Sequence, residues 1–258
     1  MAKSDTMDYA AVGLEEGFVQ TRFGRIHFIH KPGKTATVLL LHGLGATVRT
    51  WERFMRDARF EAYAIDMLGH GESAKPQIDY TVDVQVSSLK AFVDAKCDAR
   101  PFVMGNSYGG WVAAEYVLRN KAAGLIIEDG VVLDRYEQGM TGPAYISPES
   151  KAKFLDAVLM GNGNDRHAME SIIDNYSGMR ADAISRISAP TLVMWGRKDD
   201  VIRVEAAERL HTLIKGSALI ILENAGHVPH FSDAEEAAAK VAGFVNGVID
   251  EGKDHSKG

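Results

Sequence analysis

Apolar and polar positions change their period repeatedly along this chain. Short, wholly apolar runs stand at 37–41, 62–65, 102–104, 124–127, 191–195 and 219–222. Such runs, without alternation, fit strands buried on both faces. Helical periods lie between them. Residues 204–214 put Ala206, Leu210, Leu213 and Ile214 on one face. Residues 233–248 do the same with Ala237, Val241, Phe244, Val245 and Val248. Recurrence at three and four residues marks an amphipathic helix, and Ser232-Asp233-Ala234-Glu235 reads as a capping box that opens the second one. Nearer the start, 18–23 and 25–30 predict a hairpin around Gly24. Strands alternating with helices predict an α/β fold, a mostly parallel sheet covered on both faces.

The alternation stops between about residues 131 and 187. That stretch holds Gly139, Gly142, Pro143 and Pro148, then helical runs at 151–160 and 166–175, parted by Gly161-Asn162-Gly163-Asn164. It predicts a small helical lid, 131–187, over the carboxyl edge of the sheet. The core then comes in two parts, 1–130 and 188–258. The charged tail from Glu251 onward is expected to fray.

Composition narrows the classes. At 258 residues the chain suffices for one large domain with an insert. Its 29 basic and 35 acidic residues are interspersed, and the net charge of −6 argues against a nucleic-acid surface. The apolar runs are far too short to span a membrane. The start, Met1-Ala2-Lys3-Ser4-Asp5-Thr6, lacks the apolar region of a signal peptide. Cys97 is the sole cysteine, so no internal disulfide can form, which fits a reducing compartment. A cytoplasmic protein without a nucleic-acid or membrane partner is expected; oligomeric state is left open. Neither an H-E-x-x-H nor a cysteine pair is present, so no metal is expected. Gly33-Lys34-Thr35 lacks the upstream glycine of a phosphate loop, and Gly43-x-Gly45 has Val48 where a dinucleotide fingerprint needs its third glycine. No cofactor is expected either.

Open parallel sheets place ligands beyond the carboxyl ends of their strands, so the residues that follow each strand carry the candidate chemistry. Gly105-Asn106-Ser107-Tyr108-Gly109 follows the strand at 102–104 and precedes a helical pattern. A G-x-S-x-G in that context exposes a serine on a strained strand-to-helix turn. Flanking residues without Cβ relieve the near-collision of strand and helix. After 191–195 come Gly196-Arg197-Lys198-Asp199-Asp200, and after 219–222 come Glu223-Asn224-Ala225-Gly226-His227. A serine, an acid and a histidine thus emerge at strand ends in the order Ser, Asp, His. The acid is one of two neighbours, Asp199 or Asp200. A histidine can take the proton that a serine hydroxyl must lose to become a nucleophile. An aspartate fixes the tautomer of that histidine.

Five pieces now stand in order: H-G-L-G at 42–45, D-x-x-G-H-G-x-S at 66–73, G-N-S-Y-G-G at 105–110, W-G-R-K-D at 195–199 and A-G-H-V-P-H at 225–230. Over essentially its whole length the chain resembles the α/β-hydrolase superfamily, in its serine-esterase-like branch. The resemblance implies Ser107 as nucleophile, Asp199 as triad acid and His227 as base. It also implies an oxyanion hole from the backbone N–H groups of Leu44 and Tyr108. Two departures touch no catalytic position: Arg203 where relatives often have proline, and Phe231-Ser232-Asp233-Ala234 after the histidine. Trp51, Met140 and Val228 are candidates to line the substrate pocket. The expected reaction is hydrolysis of a small carboxylic ester, a small-molecule substrate, through an acyl-enzyme. Two alternatives stay open. One is a carbon–carbon bond hydrolase acting on ring-cleavage products, whose relatives often carry the same elbow with Asn106. The other, of a different class, is a ligand receptor on this fold with slow turnover.

Overall fold

The computed structural model describes residues 8–134, 148–160 and 162–255. Eight strands form one sheet: β1 (Glu15–Thr21), β2 (Gly24–Lys31), β3 (Thr37–Leu41), β4 (Glu61–Ile65), β5 (Phe102–Asn106), β6 (Gly124–Glu128), β7 (Thr191–Gly196) and β8 (Ala218–Leu222). Their spatial order is β1-β2-β4-β3-β5-β6-β7-β8. From β4 to β8 every pairing is parallel, while β1 and β2 are antiparallel to each other and β2 to β4.

The apolar runs owe their lack of alternation to burial on both faces. Leu39 and Leu41 of β3 join one core with Val103 of β5, and Val38 and Leu40 join a second with Phe102 and Met104. The first core is roofed by α2 (Val82–Lys96), α3 (Tyr108–Arg119) and α7 (Glu205–Leu213), which contribute Leu89, Trp111 and Leu210. The second lies under α1 (Glu52–Asp57) and α9 (Ala234–His255), through Phe54, Met55, Val241 and Val245. Truncating a side chain such as Leu40, with no exposed surface, to alanine costs about 2–5 kcal/mol.

Three local expectations are corrected. The hairpin pairs Thr21 with Gly24, so Arg22-Phe23 forms the turn and Gly24 opens β2 at φ 110°. Ser232 ends the short helix α8 (Pro229–Ser232), and its hydroxyl donates to Val228 O at 3.3 Å; it does not cap α9. α9 itself runs on through Glu251 to His255. Its exposed charged face needs no packing partner once the apolar stripe is anchored.

Between β6 and β7 the described residues form α4 (Pro148–Leu159), α5 (Arg166–Asn175) and the one-turn α6 (Ala181–Ile184), plus an isolated bridge from Leu133 to Met179. Residues 135–147 lie outside the described residues. No described helix is long and apolar enough to cross a membrane.

Candidate active site

Ser107 sits between the last residue of β5 and the first of α3, at φ 52°, ψ −117°. That conformation is costly for a residue with a Cβ. Hydrogen bonds on both sides hold it: Ser107 N donates to Glu128 O at 3.0 Å, and Val131 N and Gly110 N each donate to Ser107 O at 3.0 Å. The glycines two before and two after are forced by space. A Cβ on Gly105 would lie 2.1 Å from Gly109 O, and one on Gly109 would lie 2.4 Å from Leu41 O.

The residues whose amides are expected to form an oxyanion hole, Tyr108 and Leu44, line the same cavity as Ser107. Tyr108 is the first residue of α3, so its N–H has no acceptor within the helix. Leu44 lies in a tight turn closed by Ala46 N to Gly43 O at 3.1 Å, with Gly45 at φ 78°. The Gly43 backbone passes so near that a Cβ there would sit 3.3 Å from Ser107 Cβ. The side-chain amides of Asn162 and Asn164 brace the turn, donating to Gly45 O at 2.9 and 2.7 Å.

His227 follows β8, and its Nδ1 lies 2.8 Å from Asp199 Oδ2. The other oxygen of Asp199 accepts the N–H groups of Val201 at 2.8 Å and Ile202 at 2.9 Å. Burial by itself would raise the Asp199 carboxyl. The His227 hydrogen bond and charge, the neighbouring Asp129 and the Ile202 amide outweigh it and hold Asp199 below the ordinary carboxylate range. Asp200 is exposed and stands at the rim of the cavity, whereas the carboxylate on His227 Nδ1 is that of Asp199. Asn106 Nδ2 donates to His227 O at 3.0 Å, tying the histidine loop to the end of β5.

Ser107 and His227 line one cavity of about 450 Å³, together with Leu44 and Tyr108. Its apolar wall comes from Phe154 of α4, Ile172 and Ile173 of α5, and Tyr176 just beyond. Val228 lines it too. Trp51, a pocket candidate by sequence, does not: it has no exposed surface and packs in the second core, against Phe54 and the ring of His230. Met140 lies outside the described residues.

The family model described as "Alpha/beta hydrolase family" matches residues 38–241. The chain belongs to the alpha/beta hydrolase family. Among curated relatives, "Lipase 3" of Moraxella sp. (strain TA144) is 27% identical, over 82% of this chain and 78% of the lipase. The "2-hydroxy-6-oxo-6-(2'-aminophenyl)hexa-2,4-dienoic acid hydrolase" of Metapseudomonas resinovorans is 27% identical, over 90% of each chain. Among solved structures, a membrane phospholipase A described as a bacterial virulence factor superposes with a TM-score of 0.76, at 29% identity, over 93% of this chain and 88% of that one.

Two buried carboxyls of this alpha/beta hydrolase, Glu128 and Asp129, escape the sequence reading. Glu128, at the end of β6, accepts His230 N at 3.0 Å and pairs with His230 Nδ1, while Trp51 stacks on the His230 ring at 3.6 Å. The pair fastens the turn that carries His227. Asp129 follows at once, buried and at φ 44°. The rule that finds Ser107, Asp199 and His227 also covers Glu128-Asp129, which directly follow the apolar run at 124–127. Asp129, Asp199 and His227 bring one polar atom each within 4.8 Å of the others. His227 Nδ1 and Asp199 Oδ2 are already at hydrogen-bond distance, 2.8 Å. An ion bound about 2.0 Å from each would hold them further apart, so the contact is proton-mediated.

Proposed function

We propose that this alpha/beta hydrolase cleaves carboxylic esters by acyl transfer to Ser107. The observation that carries the reading is the pairing of His227 with Asp199 at 2.8 Å, in the same cavity as a serine held at a strained strand-to-helix turn. Asp199 accepts Nδ1–H, which leaves Nε2 free to take the proton of Ser107 Oγ as it attacks the ester carbonyl. The carbonyl oxygen becomes an oxyanion, and the N–H groups of Leu44 and Tyr108 would stabilise it. The N-terminus of α3 adds a favourable dipole. The tetrahedral adduct collapses, His227 protonates the departing alcohol, and an ester of Ser107 remains. Water then attacks with His227 again as base. The acid leaves and Ser107 regains its proton.

Within 131–187, the described helices α4 and α5 act as a lid in this reading, since they supply Phe154, Ile172 and Ile173 to the cavity. The names of the lipase and phospholipase relatives support ester chemistry. The dienoic acid hydrolase relative keeps carbon–carbon cleavage as the second reading. Its named substrate carries a carboxylate, yet no described cavity-lining residue is a lysine or arginine, and Asp200 stands at the rim. An ester is therefore favoured over an anionic dienone.

The test is a fluorophosphonate probe with p-nitrophenyl butyrate turnover. The parent should label and turn over. Ser107→Ala should neither label nor retain more than a trace of activity, a loss on the order of 10³–10⁶ in kcat. Equal labelling of both proteins removes Ser107 from the mechanism. A parent that labels yet turns over the dienone faster than the ester selects the second reading.

A further inference from the structure

Asp129 is the second carboxyl of the same cluster. It is completely buried, and among the described residues it shares with Ser107 alone the distinction of a positive φ on a side chain other than glycine. Such backbone strain persists only where the surroundings over-determine it. The surroundings here are β7: Asp129 N donates to Met194 O at 3.2 Å, and Asp129 Oδ1 accepts Gly196 N at 3.0 Å. The other oxygen, Oδ2, is buried and accepts no hydrogen bond from any described residue. Asp199 and His227 are close by: one polar atom of each of the three side chains lies within 4.8 Å of the others.

Two buried carboxyls at this range cannot both be ionised at neutral pH. The donors decide which keeps the charge. Asp199 receives three, from His227 Nδ1 and the amides of Val201 and Ile202. Asp129 receives one, from Gly196. The proton therefore belongs on Asp129, and its one unsatisfied oxygen is the one that can carry it. Burial pushes the Asp129 carboxyl well above the ordinary range, and the neighbouring Glu128 and Asp199 push it the same way. The charged or titratable groups facing this pair are Glu128, His227 and, through Glu128, His230.

We propose that Asp129 is a positioning residue: its neutral carboxyl donates Oδ2–H to Asp199 and keeps that carboxylate ionised and aimed at His227. The inference rests on the triad reading above. It deepens it, because the acid of the triad becomes a pair of carboxyls sharing one proton. The donated hydrogen bond also withdraws charge from Asp199.

Asn is the informative substitution. Its side chain offers an acceptor to Gly196 and a donor to Asp199, as the neutral acid does, with no change in charge. Asp129→Asn should keep kcat and the acid limb of kcat/KM at their wild-type values. Asp129→Ala removes the donor. It should lower kcat by about tenfold to a hundredfold, the effect of one hydrogen bond to a charged group, with KM little changed. Its acid limb should move to higher pH, because an unshielded Asp199 holds the imidazolium more tightly. If Asp129 were ionised, Asp129→Asn would delete a negative charge beside His227, and its acid limb would move to lower pH; that result overturns the proposal. So does an Asp129→Ala enzyme with wild-type kcat and profile. Infrared difference spectroscopy of the folded proteins at neutral pH gives a readout independent of turnover and of whether Asp129→Ala folds. A protonated-carboxyl band present in the wild type and absent in Asp129→Asn supports the assignment. A spectrum without that band in the wild type refutes it, while loss of Ser107 labelling would strike the triad reading instead.

Discussion

Asp199 and Asp200 are neighbours in the chain with opposite surroundings. Asp199 is buried, caps the amides of Val201 and Ile202, and faces His227, whereas Asp200 is exposed at the cavity rim. A substitution series therefore separates them. Asp199→Asn should lower kcat by about 10⁴, because the amide presents the wrong hydrogen-bonding pattern to Nδ1–H. Asp200→Asn should leave kcat close to wild type. Steady-state kinetics on one ester decides, and reversed magnitudes would make Asp200 the acid. The sequence leaves this choice open because both residues follow the same strand, and nothing local says which one turns inward. The choice is made by the turn that closes Asp199 N on Gly196 O at 3.2 Å. Asp129 is harder to read in sequence for a related reason. Its type and its place after a strand are visible, but its meaning depends on Asp199, 70 positions away, and on Gly196 across the β6–β7 pairing.

The elements that carry the site were the most legible part, since β3 to β7 are buried on both faces and leave an unbroken apolar run in the chain. The helices α4, α5, α7 and α9 follow from their period. What periodicity could not supply was where turns and caps fall: the hairpin turn one residue early, and Ser232 ending one helix rather than starting the next. Those depend on hydrogen bonds, not on hydrophobic pattern. The turn between β5 and α3 is the exception, because its steric demand is written in glycines. Gly109→Ala would force a Cβ to 2.4 Å from Leu41 O and 2.7 Å from His42 O, both backbone atoms that cannot rotate away. The expected cost is about 1–3 kcal/mol. In a chain of this size each kcal/mol lowers Tm by roughly 2–4 °C. Activity should fall further than stability, because the shift displaces Ser107. Gly247→Ala, on α9 with nothing within 4 Å of the new Cβ, is the control. It should hold or raise Tm, since alanine is favoured over glycine in a helix by about 0.5–1 kcal/mol. Thermal melts of the two variants check both signs.

At the scale of the whole molecule, the cavity joins the ends of the strands to the helices inserted between β6 and β7. Ser107, Leu44, Tyr108 and His227 all lie where strands end, on backbone held by the sheet, whereas the apolar cavity wall comes from α4 and α5, inserted between β6 and β7. If the proposed reading holds, reaction and substrate choice are carried by different parts of the fold, and substitutions in α4 and α5 should alter one without the other. The cavity volume sets the direction. About 450 Å³ lies in the lower half of the ~300–1,000 Å³ range of small-molecule sites. At roughly 30 Å³ for each water-sized group, it holds about fifteen of them. A p-nitrophenyl butyrate has about that many heavy atoms, and the palmitate nearly twice as many by the same roughly 30 Å³ measure. We expect kcat/KM to peak at short acyl chains and to fall steeply by decanoate. Phe154 is only partly buried, so its truncation should be tolerated by the fold while enlarging the cavity. Phe154→Ala should move the optimum toward longer acyl chains, chiefly by lowering KM for octanoate and decanoate, with fluorophosphonate labelling of Ser107 unchanged. An acyl-chain series from acetate to palmitate on both proteins makes the comparison. A wild type that prefers palmitate, or a Phe154→Ala profile identical to wild type, would show that α4 does not bound the acyl site.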